Sequence, residues 1–432
     1  MKKEFLKYTS LNIIAMVSVS LYILVDTFFI SWALGAYGLA ALNFAIPIWG
    51  VIMGCGLMLG IGGATKYTIL KSQNDTLGAN HVFTNTIMLL ILFSVLFVVC
   101  GMFFADMITA LLGTGEEVFH MSRTYLQVLL LFSPMLLVNT VLVCFARNGG
   151  VPKLAMLVMV GNSFINIGLD YILIIQQEMG MFGAALATGF ANTIGSAVLI
   201  IYFIWGKNSF RLIRCKITKA ISLGIFATGL PSLIAEISVS VVMITFNIII
   251  FGLSGNIGVA AFGIIANILI VIIAIYNGIA LGSQPLISKY YGIGNITAVK
   301  QILRYALILT TSISAVIYAA VFMGANQIAG IFNSEQNELL QTLAVTGIRT
   351  YFAGVFFAGF NIIMTIYFTS VENPKPAHII SMLRGFIIIL PLVFLLSAIG
   401  GITGVWYTFL ITELVVFGVG VVLYFRNKTI PL

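Results

Sequence analysis

Four acidic residues lie inside long apolar runs of this chain: Asp26, Asp170, Glu236 and Glu413. The clearest case is Asp26, which stands in the middle of residues 11–34, LNIIAMVSVSLYILVDTFFISWAL. A run of this length can cross a bilayer core as a helix. Because a carboxylate in such a helix is costly, it is a functional hypothesis by default.

Two further runs carry polar side chains at every fourth position, which places them on one face of a helix. They are Asn162, Asn166 and Asp170 in one run, and Thr188, Asn192 and Ser196 in the next. Tyr22 lies one turn before Asp26, on the same face of its helix. If the three helices pack together, these side chains form one polar pocket, with Tyr22, Asn162 and Asn192 as additional lining.

Two carboxylates in one apolar pocket do not both stay ionised without a counter-ion, so Asp26 and Asp170 would share a proton or admit a cation. Oxygen donors from Asp, Asn and Thr suit sodium as well as protons. For Asn162 or Asn192 alone, hydrogen bonds between helices are the more common role. For the two aspartates the cost of burial favours a function.

The second half of the chain is less regular. One run carries the stripe Ser232, Glu236, Ser240, Met243 and Asn247. Glu413 stands at the position that an internal repeat, described below, matches to Asn192. Either glutamate is open to two interpretations: a second proton site or contact for a cationic substrate, or a structural partner of Arg384 or an amide.

Composition defines the class of protein that holds these residues. Of 432 residues, 60% are hydrophobic and 8% are charged, against roughly 25% charged in soluble domains. The mean hydropathy is +1.12. These values predict an all-α integral membrane protein with multiple spans. The net charge of +8 does not indicate nucleic-acid binding, because the basic residues lie in short segments between apolar runs.

Twelve apolar runs are long enough to span, so both termini fall on one side of the membrane. With the termini inside, all basic residues except Arg123 and Arg349 fall in inner segments. This bias predicts that both termini lie in the cytoplasm. We expect a multi-pass protein of the bacterial cytoplasmic membrane. The first run lacks a small-residue cleavage site, so we interpret it as a retained helix rather than a secretion signal.

The two halves of the chain resemble each other at offsets of about 220 to 226 residues. The matching motifs are GLAA and GVAA (from Gly38 and Gly258), LGIG and LGSQ (Leu59 and Leu281), RTYL and RTYF (Arg123 and Arg349), and GAALAT and GVWYTF (Gly183 and Gly404). We therefore predict two six-helix lobes, residues 1–206 and 220–432, joined by a basic cytoplasmic linker, residues 207–219. An even number of spans per lobe predicts a pseudo-twofold axis along the membrane normal and a central cleft.

No enzymatic constellation is found. The three histidines have no spacing typical of a metal site, and no Gly-Lys-Ser/Thr phosphate loop occurs. The four cysteines suggest neither a disulfide framework nor a metal site. We predict no catalytic residues, no cofactor, and no metal beyond a sodium ion at Asp26 and Asp170. The remaining function is transport, either driven by an ion gradient or running down the substrate's own gradient.

The chain resembles the multidrug and toxic compound extrusion (MATE) transporters over almost its whole length. Three segments carry the resemblance. They are residues 278–295, GIALGSQPLISKYYGIGN; residues 56–75, GLMLGIGGATKYTILKSQND; and SLYILVD, which ends at Asp26. The resemblance implies a cation-coupled exporter that exchanges protons or sodium for bulky, often cationic, lipophilic compounds. Asp26, Asn166, Asp170 and Thr188 fall on positions that many members use for the coupling ion.

Two features depart from the family pattern. Many members carry a proline in the first half of helix one that is linked to bending of that helix, whereas here no proline precedes Pro47 and Leu11 stands near that position. Asn12, Ser18 and Ser20 are left as residues that could loosen the helix. Acidic residues that another branch places in the tenth helix are absent between Ile348 and Val371.

The sequence thus predicts a proton- or sodium-coupled antiporter that works by alternating access. Its partners would be a lipophilic substrate and the lipid bilayer, without nucleic acid, and we expect a monomer. A flippase for lipid-linked precursors is the alternative, although it would need a more cationic cavity than Arg384 and few other basic residues supply. A passive channel or receptor comes third.

Overall fold

The computed structural model describes residues 1–206, 208–333 and 336–426, and within these ranges it contains helices and no β-strand. Helices are expected for so apolar a sequence, because the core of a bilayer has no water to form hydrogen bonds with backbone N–H and C=O groups. Lys207, which the predicted linker includes, lies outside the described residues.

Thirteen α-helices are described in these ranges. They are α1 (Lys2–Ser72), α2 (Thr76–Phe103), α3 (Ala105–Leu111), α4 (Glu116–Asn148), α5 (Pro152–Asp170), α6 (Gly180–Trp205), α7 (Lys219–Gly292), α8 (Ile296–Met323), α9 (Ala325–Phe332), α10 (Glu338–Tyr351), α11 (Val355–Ser370), α12 (Pro374–Met382) and α13 (Ile389–Arg426). Two π-helical turns, Tyr171–Gln176 and Leu383–Ile387, extend α5 and join α12 to α13.

Nine continuous helical stretches of the described chain are long and apolar enough to cross a membrane. Three of them are broken by a glycine with positive φ: Gly35 in α1, Gly255 in α7 and Gly401 in α13. Each break divides one stretch into two, which agrees with twelve spans. We name the parts α1a (residues 2–34), α1b (36–72), α7a (219–254) and α7b (256–292).

The internal repeat recurs in the backbone. Gly35 has φ 61° and ψ −148°, and Gly255, 220 residues later, has φ 58° and ψ −152°. This conformation is essentially confined to glycine. The next helices also start alike, since Asp75 and Asn295 each accept a hydrogen bond from a backbone N–H three residues on, at 2.8 and 3.0 Å.

Each half packs as its own bundle. Helix α1 contacts α2, α4 and α5, and α6 packs on α4 and α5, whereas α7 contacts α8, α10, α11 and α13. The two bundles meet through α1 and α7. Residues 208–218 run along the first bundle, where the backbone N–H groups of Arg211, Ile213 and Thr218 donate to Asn80, Thr84 and Asn85 of α2.

The contact between the bundles depends on small residues, and we call it the seam. A Cβ added to Gly229 of α7a would lie 1.9 Å from the carbonyl oxygen of Met58 in α1b. A Cβ on Gly282 of α7b would lie 2.7 Å from the Cα of Thr9 in α1a. Glycine is therefore required for the helices to approach this closely.

Two ion pairs cross the seam at one end of the molecule. Lys66 Nζ lies 2.7 Å from Glu372 Oε1, and Lys289 Nζ lies 3.5 Å from Glu4 Oε1. Both lysines precede a tyrosine near the end of α1b or α7b, so they come from matching motifs of the repeat. We call this end of the molecule the basic face.

Candidate functional site

Helix α1a carries Asp26, and Asp170 is the last residue of α5 before the π-helical turn. The two carboxyl groups lie within hydrogen-bonding reach of each other. Asp26 is 8% exposed and Asp170 is fully buried. None of the four ion pairs found in the described ranges includes either residue. The pair is thus buried without a basic partner, and two such groups repel each other unless a proton or cation lies between them.

Amide and hydroxyl groups line one side of the pair. With its amide oriented to satisfy both neighbours, Asn166 donates from Nδ2 to Asp170 Oδ2 at 3.0 Å and accepts from Thr188 Oγ1 at 3.3 Å. Thr188 comes from α6, so Asn166 links α5 to α6. The structure therefore brings Asp26, Asp170, Asn166 and Thr188 together, as the four-residue spacing predicts.

One oxygen of each aspartate has no partner. Asp26 Oδ1 and Asp170 Oδ1 are buried and accept no hydrogen bond. A buried acceptor without a donor costs about 1–3 kcal/mol, so these oxygens are the positions at which a bound ion or proton would be stabilising. Tyr22 and Tyr125 lie within electrostatic reach of both aspartates and complete the surroundings.

Two predicted lining residues lie apart from the pair. With its amide correctly oriented, Asn162 accepts from Asn139 Nδ2 at 3.0 Å and donates to the carbonyl oxygen of Ala191 at 3.1 Å. Asn192 donates to the carbonyl oxygen of Thr188 in its own helix. Asn162 thus joins helices, which is the alternative role that its residue type favours.

The two glutamates of the second half are not brought to the aspartate pair. Glu236 lies on α7a against α1b, where a Cβ added to Gly54 would be 3.2 Å from its Cβ. Glu413 is 2% exposed and lies 2.5 Å from Arg384 Nε through Oε1. Its Oε2 accepts from Asn361 Nδ2 at 2.7 Å. Glu413 therefore has both partners that the sequence offered for it, an arginine and an amide.

A family comparison gives this arrangement its context. The MatE family model matches residues 12–172 and 231–395, which include the aspartate pair and most of both bundles. The chain belongs to the MatE family. As a MatE protein it is an integral membrane transporter rather than an enzyme.

Similar proteins share both sequence and fold with this MatE chain. The multidrug export protein MepA of Staphylococcus saprophyticus is 28% identical over 400 residues, covering 91% of this chain and 86% of the relative. A crystal structure of a MATE protein in complex with MaL6 superposes with a TM-score of 0.92 at 23% identity, over 98% of this chain and 95% of that chain.

The outward-facing conformation of a multidrug resistance MATE family transporter of the MOP superfamily gives a TM-score of 0.91 at 23% identity, over 98% and 94% of the two chains. These likenesses confirm the two-lobe MATE fold that the sequence predicts.

Sequence reasoning missed two residues of this MatE site. Tyr125 on α4 lies within electrostatic reach of both aspartates, and Asn139 donates to Asn162. The RTY motif was a signal for Tyr125, since its echo, Tyr351, lies within electrostatic reach of Glu413. The two tyrosines are not equivalent, however, because the arginine of the motif stands 29 residues before Pro152 and 25 before Pro374, a difference of about one helical turn.

The donor set limits what this site can hold. Within the described residues, no three His, Cys, Asp or Glu side chains are placed to hold a metal ion together. A sodium ion here would depend on two carboxylates and on the amide and hydroxyl oxygens of Asn166 and Thr188, a hard oxygen set. A proton would need only the aspartates.

Proposed function

We propose that this MatE transporter is an antiporter, working as a monomer, that exports lipophilic, often cationic, compounds in exchange for protons or sodium. The observation that carries the proposal is the Asp26–Asp170 pair, buried without a basic partner and with one free oxygen on each carboxylate. A carboxylate pair inside a membrane is unstable when fully ionised. Binding of a proton or cation to the pair can therefore change how the surrounding helices pack.

The basic face is assigned to the cytoplasm, because lysine and arginine are retained on that side of a membrane. The seam supports a state in which the lobes are closed towards the cytoplasm and the cleft opens to the outside. In the opposite state the seam would part, which requires breaking Lys66–Glu372 and Lys289–Glu4 and separating Gly229 from Met58.

Ion binding would act through α1a. Two unit charges 4 Å apart repel by about 4 kcal/mol at an effective dielectric constant of 20. Ionised aspartates would therefore push α1a away from α5, whereas a proton or sodium ion between them would let the helices pack. Such a change in packing would alter the wall of the first lobe and lower its affinity for the exported compound.

The names of the relatives and the composition of this chain support the proposed substrate class. The similar staphylococcal protein is named for multidrug export, and this chain is rich in residues that make adaptable apolar walls: 33 Phe, 16 Tyr and 17 Met. Aromatic and thioether side chains accommodate many lipophilic shapes with little selectivity.

Dye uptake into reconstituted vesicles tests the proposal. An acidic lumen and a sodium-loaded lumen are imposed separately, and uptake of a cationic dye is followed by fluorescence quenching. Wild-type protein should accumulate dye with at least one gradient, and Asp26→Asn and Asp170→Asn should not. Asp106→Asn, which removes an exposed carboxylate that pairs with Arg123 and not with either aspartate, is the matched control and should retain uptake.

Three results would contradict the assignment. Full uptake by Asp26→Asn would exclude the aspartate pair as the coupling site. Loss of uptake in Glu236→Gln alone would move that site to the second lobe. Dye equilibration without accumulation in wild-type vesicles would favour a passive channel.

A further inference from the structure

The two lobes differ in chemistry at two of three matching polar positions. Asn139, Asn162 and Asn192 in the first lobe correspond to Asn361, Arg384 and Glu413 in the second, each 221 or 222 residues later. The first set includes the Asn139–Asn162 amide hydrogen bond. The second set forms an ion pair with an amide. The repeated scaffold thus holds neutral amides in one lobe and charges in the other.

Glu413 already has a partner on each carboxylate oxygen. Its Oε1 is paired with Arg384 Nε, and its Oε2 accepts from Asn361 Nδ2 at 2.7 Å. Asn361 Nδ2 also donates to the backbone oxygen of Glu413 at 3.0 Å. With its charge balanced and both oxygens satisfied, this glutamate is a poor contact for a cationic substrate.

Arg384, in contrast, retains free donors. Only its Nε takes part in the ion pair, and in the part of the chain that the structure describes its Nη1 and Nη2 make no hydrogen bond. The side chain is 24% exposed, whereas that of Glu413 is 2% exposed. The guanidinium group is therefore fixed on one edge and open on the other.

The position of Arg384 within the membrane indicates the environment of its free guanidinium edge. The charge bias counts Arg384 with the inner segments, but in the structure it stands ten residues after Pro374, at which α12 begins. It therefore lies about 15 Å along the span. This is near the middle of a hydrocarbon core about 30 Å thick. An arginine at that depth faces water or protein rather than lipid, because exposure to lipid is too costly. Its neighbour Gly385 packs on Ser238 of α7a, so this turn of the helix lies within the second bundle.

Local backbone geometry supports a binding role. Arg384 lies within the π-helical turn Leu383–Ile387, and such turns are frequent at functional sites. The first lobe has its π-helical turn at Tyr171–Gln176, directly after Asp170. In both lobes a π-helical turn therefore adjoins or contains an ionisable residue, Asp170 in the first lobe and Arg384 in the second.

We propose that Arg384, held in place by Glu413 and Asn361, binds the carboxylate of the transported compound through Nη1 and Nη2. A planar guanidinium with two free donors matches a carboxylate in bidentate geometry. The preferred substrates are then amphipathic compounds that carry a carboxylate on an otherwise lipophilic or cationic frame. This inference rests on the proposed function, since it names a substrate class for the same transporter.

A matched pair of dyes tests this inference by equilibrium binding. The dyes are a rhodamine with a free carboxylate and its methyl ester, titrated against purified protein in detergent by fluorescence polarisation. Arg384→Gln is compared with the double variant Arg384→Asn/Glu413→Asn, which copies the residues of the first lobe and leaves no buried charge unpaired. Removing the exposed Arg123–Asp106 ion pair by Arg123→Gln/Asp106→Asn is the control.

The ratio of the two affinities is the decisive quantity. Wild-type protein should prefer the acid, and loss of Arg384 should lower the acid-to-ester affinity ratio about tenfold, as expected for charge-assisted hydrogen bonds. The control variant should keep the wild-type ratio. A purely structural ion pair would weaken both dyes together and leave the ratio unaltered, which would overturn the inference, as would a wild-type protein without preference for the acid.

Binding is measured without a gradient, so its outcome is separate from that of the vesicle assay. If uptake fails while the affinity ratio depends on Arg384, the coupling mechanism is wrong and the carboxylate site stands. If uptake succeeds while the affinity ratio is independent of Arg384, the coupling mechanism stands and the carboxylate site is wrong.

Discussion

Replacing Gly229 by alanine should open the seam at the basic face. The added Cβ would lie 1.9 Å from the carbonyl oxygen of Met58, whereas such atoms essentially never approach closer than 3.0 Å. The helices α1b and α7a would have to separate by the difference, about 1.1 Å, at their tightest crossing. Overpacking of this kind costs about 1–3 kcal/mol. If that cost falls on the closed state alone, the population ratio changes about 5- to 150-fold towards the open seam.

Cross-linking across the basic face measures this shift. The four native cysteines are replaced, Glu4 and Lys289 are changed to cysteine, and the rate of reaction with a short bis-maleimide is followed. Gly229→Ala should slow cross-linking, because the open seam separates the two positions. Gly263→Ala in α7b is the control, since no atom lies within 4 Å of its added Cβ. Equal cross-linking rates for wild type and Gly229→Ala would refute the reasoning.

Three further predictions concern the ion site and the seam. Asn166→Ala removes the amide donor beside the aspartate pair and should raise the ion concentration for half-maximal dye uptake about tenfold, whereas Asn192→Ala, which loses only a hydrogen bond within its own helix, should not. Tyr125→Phe removes a hydroxyl facing the aspartates and should slow gradient-driven uptake without changing the melting temperature of the purified protein. Lys66→Gln breaks a partly exposed ion pair that contributes at most about 1 kcal/mol, so its cross-linking rate should change less than that of Gly229→Ala.

The fold was largely predictable because hydropathy, charge and repeated motifs can each be read along the chain without knowing how the helices pack. Hydropathy predicts the spans and their number, the charge bias predicts their orientation, and the motif offsets predict the two lobes. The structure adds that Gly35, Gly255 and Gly401 interrupt continuous helices rather than forming loops. A single glycine in an apolar run gives no sign of this, because its positive φ depends on how the flanking spans pack.

The site was predictable where it follows helical periodicity and not where it depends on tertiary packing. Asn166 and Asp170 share a face of one helix, so their meeting with Thr188 needed only that neighbouring helices pack. Tyr125 belongs to no stripe, and only the fold brings it within electrostatic reach of Asp26. The role of these residues in ion binding stays a prediction, and so does the boundary of each lobe in the sequence.

The absence of a proline in α1a suggests how the ion site and the seam communicate. Asp26 and Ile13 belong to a single uninterrupted helix, and a Cβ added to Gly278 of α7b would lie 2.6 Å from the Cα of Ile13. Thirteen residues of helix span about 20 Å. Hydroxyl bonds back to the helix, such as Ser18 Oγ to Ile14 O at 2.9 Å, leave the backbone ladder intact while favouring at most a gentle bend. We therefore expect α1a to move as a rigid body, without a bend centred on proline. Repulsion at Asp26 would then displace the contact of Ile13 with Gly278.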